Sequence, residues 1–407
     1  MKIGFVSVAV SGHLNPMTAL GRKLKSRGHK AVFIGVPDAE PAVRAAKLDF
    51  VPFCEKEYPA GAFNRQWSKI ATLHGLEVVR YTAREMMPGL VESALEHLPK
   101  KIAETGVEAL VFDTIQFFIE LVPMRLGMPY IHIWNVLNMD ASGSTPPIFF
   151  SWPPYQKTPE TEVTARRAEG TKFIDELLGP LGKIAGSYAK KHGMQIDFSD
   201  PTATTSKLAV ISQMPKEFDF QTSNWPPQFH YAGPFHDGEG REQTPFPWEK
   251  LTGEPLIYAS MGTLVNGSAS VYRTILNAVE PLPGVQLVLS VGNNIELRQL
   301  EPFPSNAIVV RKAPQIELLK HAALCITHAG LNTTLESLAQ GVPMVAIPMG
   351  YDQPGVAARI AHHGVGEFIE IEHLTVETLT DLILRVLKNP DYSNRAQYFR
   401  NVIAENC

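Results

Sequence analysis

Short apolar runs alternate with amphipathic stretches along the whole chain. In the first half, continuous apolar segments at 3–10, 31–36, 50–53, 109–112, 130–134 and 208–212 predict buried strands. Between the first two lies "NPMTALGRKLKSRGH", in which Met17, Leu20 and Leu24 share one helical face. There Asn15 reads as the N-cap, Pro16 as a first-turn residue and Gly28 as the stop. The second half repeats the rhythm, with strands expected at 256–261, 286–291, 307–310, 324–327, 344–347 and 367–371. Strands without polar alternation, separated by helices, predict parallel sheets covered on both faces. Between the halves, residues 233–255 are rich in Gly, Pro and charge and read as a linker. The expected fold class is therefore α/β, with two Rossmann-like, doubly wound parallel-sheet domains. Their expected bounds are 1–235 and 252–390, with a linker at 236–251 and a final helix at 391–407.

The two halves differ in their connections. The first carries long excursions at 60–101 and 135–206, and the second of these includes "GSTPPIFFSWPPY", aromatics set among prolines. Such a stretch either packs on itself or borders an apolar ligand pocket, with contact to a membrane surface as a third reading.

Composition narrows the class. The chain has 407 residues, of which 44% are apolar and 19% charged, enough for two globular cores. A net charge of −4 leaves no basic stripe for a nucleic acid to follow. Three distant cysteines (Cys54, Cys325, Cys407) without CxxC spacing exclude a disulfide framework or a cysteine zinc site and suit a reducing cytoplasm. The richest apolar stretch, "ALVFDTIQFFIELVPMRLGMPYIHIW", is broken by Asp113, Glu120 and Arg125, so no membrane span is expected.

The densest chemistry lies in "CITHAGLNTTLESLAQGVPMVAIPMGYDQP", residues 325–354. A strand breaks at His328-Ala329-Gly330, and a helix restarts near Asn332. Helix starts at the carboxyl ends of parallel strands offer unpaired N–H groups and a positive dipole end, which suit phosphate. Thr333 and Thr334 add hydroxyls, His328 adds a ring N–H, and Glu336 stands one turn deeper, where ribose hydroxyls would lie. The pattern suggests a nucleoside diphosphate.

The segment "APQIELLKHAALCITHAGLNTTLESLAQGVPMVAIPMGYDQ", with Gly12-His13, "VFD" at Asp113 and "SMGT" at 260–263, resembles the UDP-glycosyltransferases of the two-domain GT-B type. The "GLNT…DQPGVAAR" wording is most similar to bacterial enzymes that glucosylate lipophilic acceptors, including carotenoid and macrolide glycosyltransferases. The resemblance implies two domains facing each other across a cleft, with UDP-glucose as donor and no cofactor or metal. Ala313 and Gln315 would hold the nucleobase and ribose, with Lys312 and Leu331 beside them. His328, Gly330, Asn332 and Thr333 would hold the diphosphate, with Gly262 and Thr263 from the facing loop. Glu336 would take the ribose hydroxyls, and Asp352 and Gln353 the hydroxyls of the sugar. On the acceptor side it implies Gly12, Phe117 and Trp134, joined by Phe149, Phe150 and Trp152. Lys312 and Leu331 stand where the plant pattern has Trp, which opens the donor base to thymidine as an alternative. The chain stops at "YFRNVIAENC", where the family places a helix crossing back to the first domain, and a few further residues are implied.

His13 follows the first expected strand and precedes the Asn15 cap; Asp113 ends another strand. Both therefore stand at carboxyl ends of one sheet. The family motif makes them general base and partner: the imidazole takes the proton of an acceptor hydroxyl, and the carboxylate steadies the imidazolium. Attack opposite the leaving diphosphate inverts the anomeric centre. A sugar-nucleotide epimerase, a silent nucleotide-binding protein and a nicotinamide oxidoreductase are the competing readings. The aromatic excursions, the paired His13 and Asp113, and the lack of GxGxxG in "AVSGHLNPM" weigh against each in turn. The expected enzyme is a monomer.

Overall fold

The computed structural model describes residues 1–222, 224–236 and 244–406. The first half builds a seven-stranded sheet from β1 (Lys2–Val6), β2 (Lys30–Gly35), β3 (Asp49–Pro52), β4 (Ala109–Asp113), β5 (Tyr130–Trp134), β6 (Val210–Ser212) and β7 (Phe229–Tyr231). Their order is β3-β2-β1-β4-β5-β6-β7, and every pairing is parallel. Its helices are α1 (Ser11–Ser26), α2 (Glu40–Ala45), α3 (Asn64–Ile70), α4 (Leu76–Tyr81), α5 (Met87–Thr105), α6 (Leu121–Leu126) and α7 (Glu160–Lys191).

The second half holds a six-stranded sheet of β8 (Leu256–Ser260), β9 (Gln286–Ser290), β10 (Ala307–Val310), β11 (Ala322–Thr327), β12 (Met344–Ala346) and β13 (Gly366–Phe368). The order is β10-β9-β8-β11-β12-β13, again all parallel. Around it run α8 (Ala269–Val279), α9 (Gln315–Leu319), α10 (Leu331–Gln340), α11 (Gln353–His362), α12 (Val376–Lys388) and α13 (Pro390–Asn406). All five residues of β8 are buried, as a strand covered by helices on both faces requires.

Each sheet reverses its order once, between β1 and β4 and between β8 and β11. At such a switch point the neighbouring helices leave for opposite faces and open a crevice beyond the strand ends. That places the loops after β1 and β4 opposite the loops after β8 and β11.

Several expectations shift. The first strand ends at Val6 rather than 10, because α1 begins at Ser11 with Val10 as its cap. Asn15 is thus an interior helical residue, not the N-cap, and Pro16 lies inside the helix. The apolar run 7–10 that looked like strand instead forms the loop above the sheet. β7 was missed because "FHY" is three residues with no apolar run. The excursion 60–101 is largely helical, and 135–206 contains the 32-residue α7. Residues 237–243 of the expected linker lie outside the described residues. At its far end Phe246 and Trp248 pack edge to face, with ring centroids 4.9 Å apart.

Backbone bonds join the halves at Gly75 N to Met349 O, Gly267 N to Ala71 O and Gly355 N to Ile148 O, at 2.7, 2.8 and 3.0 Å. A buried ion pair adds to them. Arg359 of α11 reaches Asp219 with Nε and Nη2, at 3.0 and 2.8 Å, and both residues are 2% exposed or less. Phe220 N, Asn138 Nδ2 and the Tyr231 hydroxyl also donate to that carboxylate. Burial on this scale is tolerated because the charge is fully hydrogen-bonded. The last helix packs on α10, and its Phe399 meets Phe218 of the first half edge-on at 5.6 Å.

Candidate active site

A cavity of about 830 Å³ lies between the two halves. On the first side, β1 and β4 run level, with Val6 beside Phe112, so Asp113 ends β4 just where the chain leaves β1. His13, in the first turn of α1, turns its Nδ1 to Asp113 Oδ2 at 2.7 Å, and Ser7 Oγ donates to the same oxygen at 3.0 Å. Asp113 is fully buried and Oδ1 has no partner. Burial by itself depresses the His13 pKa, but the charge and hydrogen bond of Asp113, helped by Asp352, outweigh it and the pKa is raised above 6.5. The carboxylate also fixes the tautomer, leaving Nε2 as the atom able to take a proton.

On the second side, β11 gives way to α10 through a sharp turn. Ala329, fully buried, takes a left-handed φ of 62°, unusual for a residue with a Cβ. His328 is clasped between two glycines: a Cβ on Gly262 would stand 2.5 Å from its Nε2, and one on Gly330 2.7 Å from its Cε1. Burial, against a backbone hydrogen bond at Ser260, lowers the His328 pKa to about 4, so this ring is neutral and serves as a dipole rather than a charge. The first N–H groups of α10 have no intrahelical acceptor and open onto the cavity. One turn on, Gln315 Nε2 donates to Glu336 Oε2 at 2.6 Å and to Thr333 Oγ1 at 3.2 Å. The Tyr258 hydroxyl holds Gln315 Oε1 at 3.0 Å. This chain of bonds sets Glu336 and Gln315 in place before any ligand arrives.

The cavity wall includes Gly12, His13, Phe117, Phe149, Gly262, Thr263, Lys312, Ala313, Gln315, His328, Gly330, Leu331, Asn332, Thr333, Glu336, Asp352 and Gln353. Asp113 stands behind it, bonded to His13 and Ser7 of the wall. Trp134, Phe150 and Trp152 stand outside the wall. Trp134 is buried in β5, while Phe150 stacks on Trp152 at 4.1 Å and meets Phe173 edge-on. The aromatic excursion therefore does both things its sequence allowed: Phe149 faces the cavity and the next rings pack on each other. Two side chains expected at the sugar are partly engaged. Asp352 Oδ2 accepts Leu137 N at 2.9 Å, and Gln353 Oε1 accepts Met349 N and Gly350 N. Burial raises the Asp352 pKa, opposed by the Leu137 N–H and by His13.

Two residues escaped the reading of the sequence. Asn135, directly after β5, is 3% exposed, lines the cavity, and neither its Oδ1 nor its Nδ2 has a partner. A buried amide left without bonds costs free energy until something fills them. Gln213, directly after β6, is buried and bonded across to Asn332. The rule that found Asp113, polar residues at carboxyl ends of strands, applies to both. Away from the polar floor, Phe63, Trp67, Met86, Leu90, Leu177 and Leu181 give an apolar chamber beneath α3, α5 and α7.

The chain is similar to known proteins in sequence and in overall fold. Residues 226–402 match the family described as UDP-glucoronosyl and UDP-glucosyl transferase. Zeaxanthin glucosyltransferase of Pantoea ananas is 26% identical over 94% of this chain and 88% of its own. The crystal structure of the calicheamicin glycosyltransferase superposes with a TM-score of 0.74 at 18% identity, covering 100% of this chain and 94% of that one. Spinosyn rhamnosyltransferase complexed with thymidine diphosphate gives 0.68 at 18% identity over 100% and 96%. Among the described residues no helix is long and apolar enough to cross a membrane.

Proposed function

We propose that this glycosyltransferase of small-molecule acceptors, whose residues 226–402 match the UDP-glucoronosyl and UDP-glucosyl transferase family, moves glucose from UDP-glucose to a hydroxyl of a hydrophobic acceptor. The product is a β-glucoside formed with inversion. The observation that carries this reading is the His13–Asp113 pair, 2.7 Å apart, on the wall of the cavity whose other wall holds the N-terminus of α10.

His13 Nε2 takes the acceptor proton as the new C–O bond forms, and Asp113 stabilises the imidazolium. The departing diphosphate is received by the α10 N–H groups with His328, Thr333 and Thr263, so negative charge develops where donors already point. Gln315 and Glu336 bind the ribose; Asp352, Gln353 and the unpaired amide of Asn135 bind the hexose. The apolar chamber takes the acceptor, a carotenoid, terpenoid, phenolic or polyketide by its chemistry, and Phe117 and Phe149 border it. The first domain (1–235) holds the acceptor and the second (252–390) the donor, joined by the linker at 236–251 and tied back by the helix at 391–407. One chain supplies every group, so a monomer suffices, and the buried free thiols Cys54 and Cys325 suit a cytoplasmic enzyme.

Mass spectrometry of products from UDP-glucose and from thymidine-diphosphate glucose, against a panel of hydroxylated lipophiles and phenolics, tests the reading. Transfer from UDP-glucose supports it. Transfer from the thymidine donor alone reassigns the base, and no product with either overturns it. Glu336→Ala is expected to weaken UDP more than thymidine diphosphate, because a deoxyribose offers the carboxylate one hydroxyl fewer; equal losses in calorimetry would refute the ribose role.

A further inference from the structure

Pro16 sits inside α1 and has no N–H, so the carbonyl four residues earlier, that of Gly12, lacks its helical donor. That carbonyl belongs to the residue directly before the base. It accepts instead from Asn332 Nδ2, the second residue of α10, at 2.5 Å and across 320 positions of sequence. Asn332 Oδ1 in turn accepts from Gln213 Nε2 at 2.9 Å, and the same Gln213 nitrogen donates to Asn135 O at 2.9 Å. Carbonyls at Gly12 and Asn135 can only accept, so the orientation of both amides between them is forced.

We propose that Gln213 and Asn332 are positioning residues that set His13 against the donor site, using the carbonyl that Pro16 leaves unpaired. The inference rests on the proposed reading of His13 as base and α10 as diphosphate site. Asn332 Nδ2 carries two hydrogens and the Gly12 bond uses one, so the side chain can hold a phosphate oxygen without releasing α1. Binding at α10 and the placement of the imidazole thereby become one geometric event. Gln213 touches neither substrate; it holds Asn332 in the rotamer that reaches Gly12 while anchoring it to the end of β5. A second contact of the same kind, Ser11 Oγ to Thr263 Oγ1 at 3.3 Å, lies alongside.

Two variants outside the cavity wall test this in the full-length enzyme. Gln213→Leu is expected to lower kcat by about 10–10²-fold, the scale of a small misplacement of reacting groups. UDP affinity should stay within about twofold by calorimetry, since no first-turn N–H of α10 is removed. The pH midpoint of the rate should not move, because His13 and Asp113 keep their bond. Pro16→Ala returns an N–H to Gly12 O and removes a proline from a helix interior, so Tm should rise while kcat falls. A merely structural role would move stability and rate together. In the double variant the losses should be less than additive, both acting through one bond. Full kcat in both single variants overturns the proposal. Hydrogen exchange of the peptide spanning residues 8–17 gives a readout without turnover: UDP should slow it in the wild type and not in Gln213→Leu. If the wild type transfers no sugar, the functional reading fails, yet an undiminished UDP effect on that peptide in Gln213→Leu still overturns the link on its own.

Discussion

Replacing Asp113 by Asn separates the two things the carboxylate does for His13. In the native enzyme burial is the largest influence on the imidazole and lowers its pKa, while the charge and hydrogen bond of Asp113, then the charge of Asp352, raise it to a net value above 6.5. The amide removes both Asp113 contributions. Burial is then opposed only by Asp352, the smallest of the four influences, so the pKa falls below 6.5. The pH profile of kcat/KM, which reports the free enzyme, should rise through a midpoint above 6.5 in the wild type and below it in Asp113→Asn. The plateau should nevertheless drop. Losing the base altogether, as in His13→Ala, costs about 10²–10⁴-fold, or roughly 2.7–5.4 kcal/mol of barrier. Asp113→Asn should cost no more than that, because the carboxylate acts through the imidazole, and the double variant should resemble His13→Ala. Stability runs the other way: a raised folded-state pKa contributes stability that is fully present below 6.5 and is lost as pH rises through the folded value. The pair thus adds most to Tm where the enzyme is slowest. An unmoved midpoint in Asp113→Asn, or a full rate in His13→Ala with an aliphatic alcohol, would refute the assignment. A phenolic acceptor is the control, since it can ionise unaided.

Three further outcomes are expected. Gly262→Ala combines a left-handed φ of 73° with a methyl 2.5 Å from the His328 ring, so UDP affinity should fall at least about tenfold by calorimetry; retained affinity would show that the clasp on His328 is not needed for the nucleotide. Arg359→Leu leaves Asp219 buried and unpaired and should cost about 3–5 kcal/mol in chemical denaturation; a loss under 1 kcal/mol, the scale of an exposed pair, would count against the buried network. Phe149→Ser should raise the acceptor KM with UDP affinity intact, whereas Phe150→Ser should chiefly lower Tm; matching effects would erase the distinction between wall and packing.

The sequence by itself determined the architecture and much of the site's chemistry. Continuous apolar strands such as 256–260 admit only a sheet covered on both faces, and local capping and turn residues punctuate the chain without help from tertiary contacts. The run from Ala313 to Gln353 carried its motif within one stretch, so His328, Thr333 and Glu336 were legible on one strand-to-helix passage, while Gln315, which opens α9, was legible through the family resemblance. Asp113 and His13 were legible because strand ends are local features. The tertiary structure decided what depends on partners far along the chain. Periodicity did not reveal that α1 starts at Ser11, since 7–10 is as apolar as a strand, yet the pairing of β1 with β4 stops at Val6 and Val10 caps α1. Pro16 looked like a helix start, and only the cross-half bond to Asn332 gives its missing N–H a consequence. Phe149 and Phe150 are identical neighbours in sequence, yet one meets the cavity and the other a stacked ring. Asn135 and Gln213 stand at strand ends as Asp113 does, but only the fold shows that one amide is left unpaired and the other used as a bridge. Hydrogen bonds are short-ranged and directional, so chemistry that joins residues hundreds of positions apart is decided by the packing of the two halves.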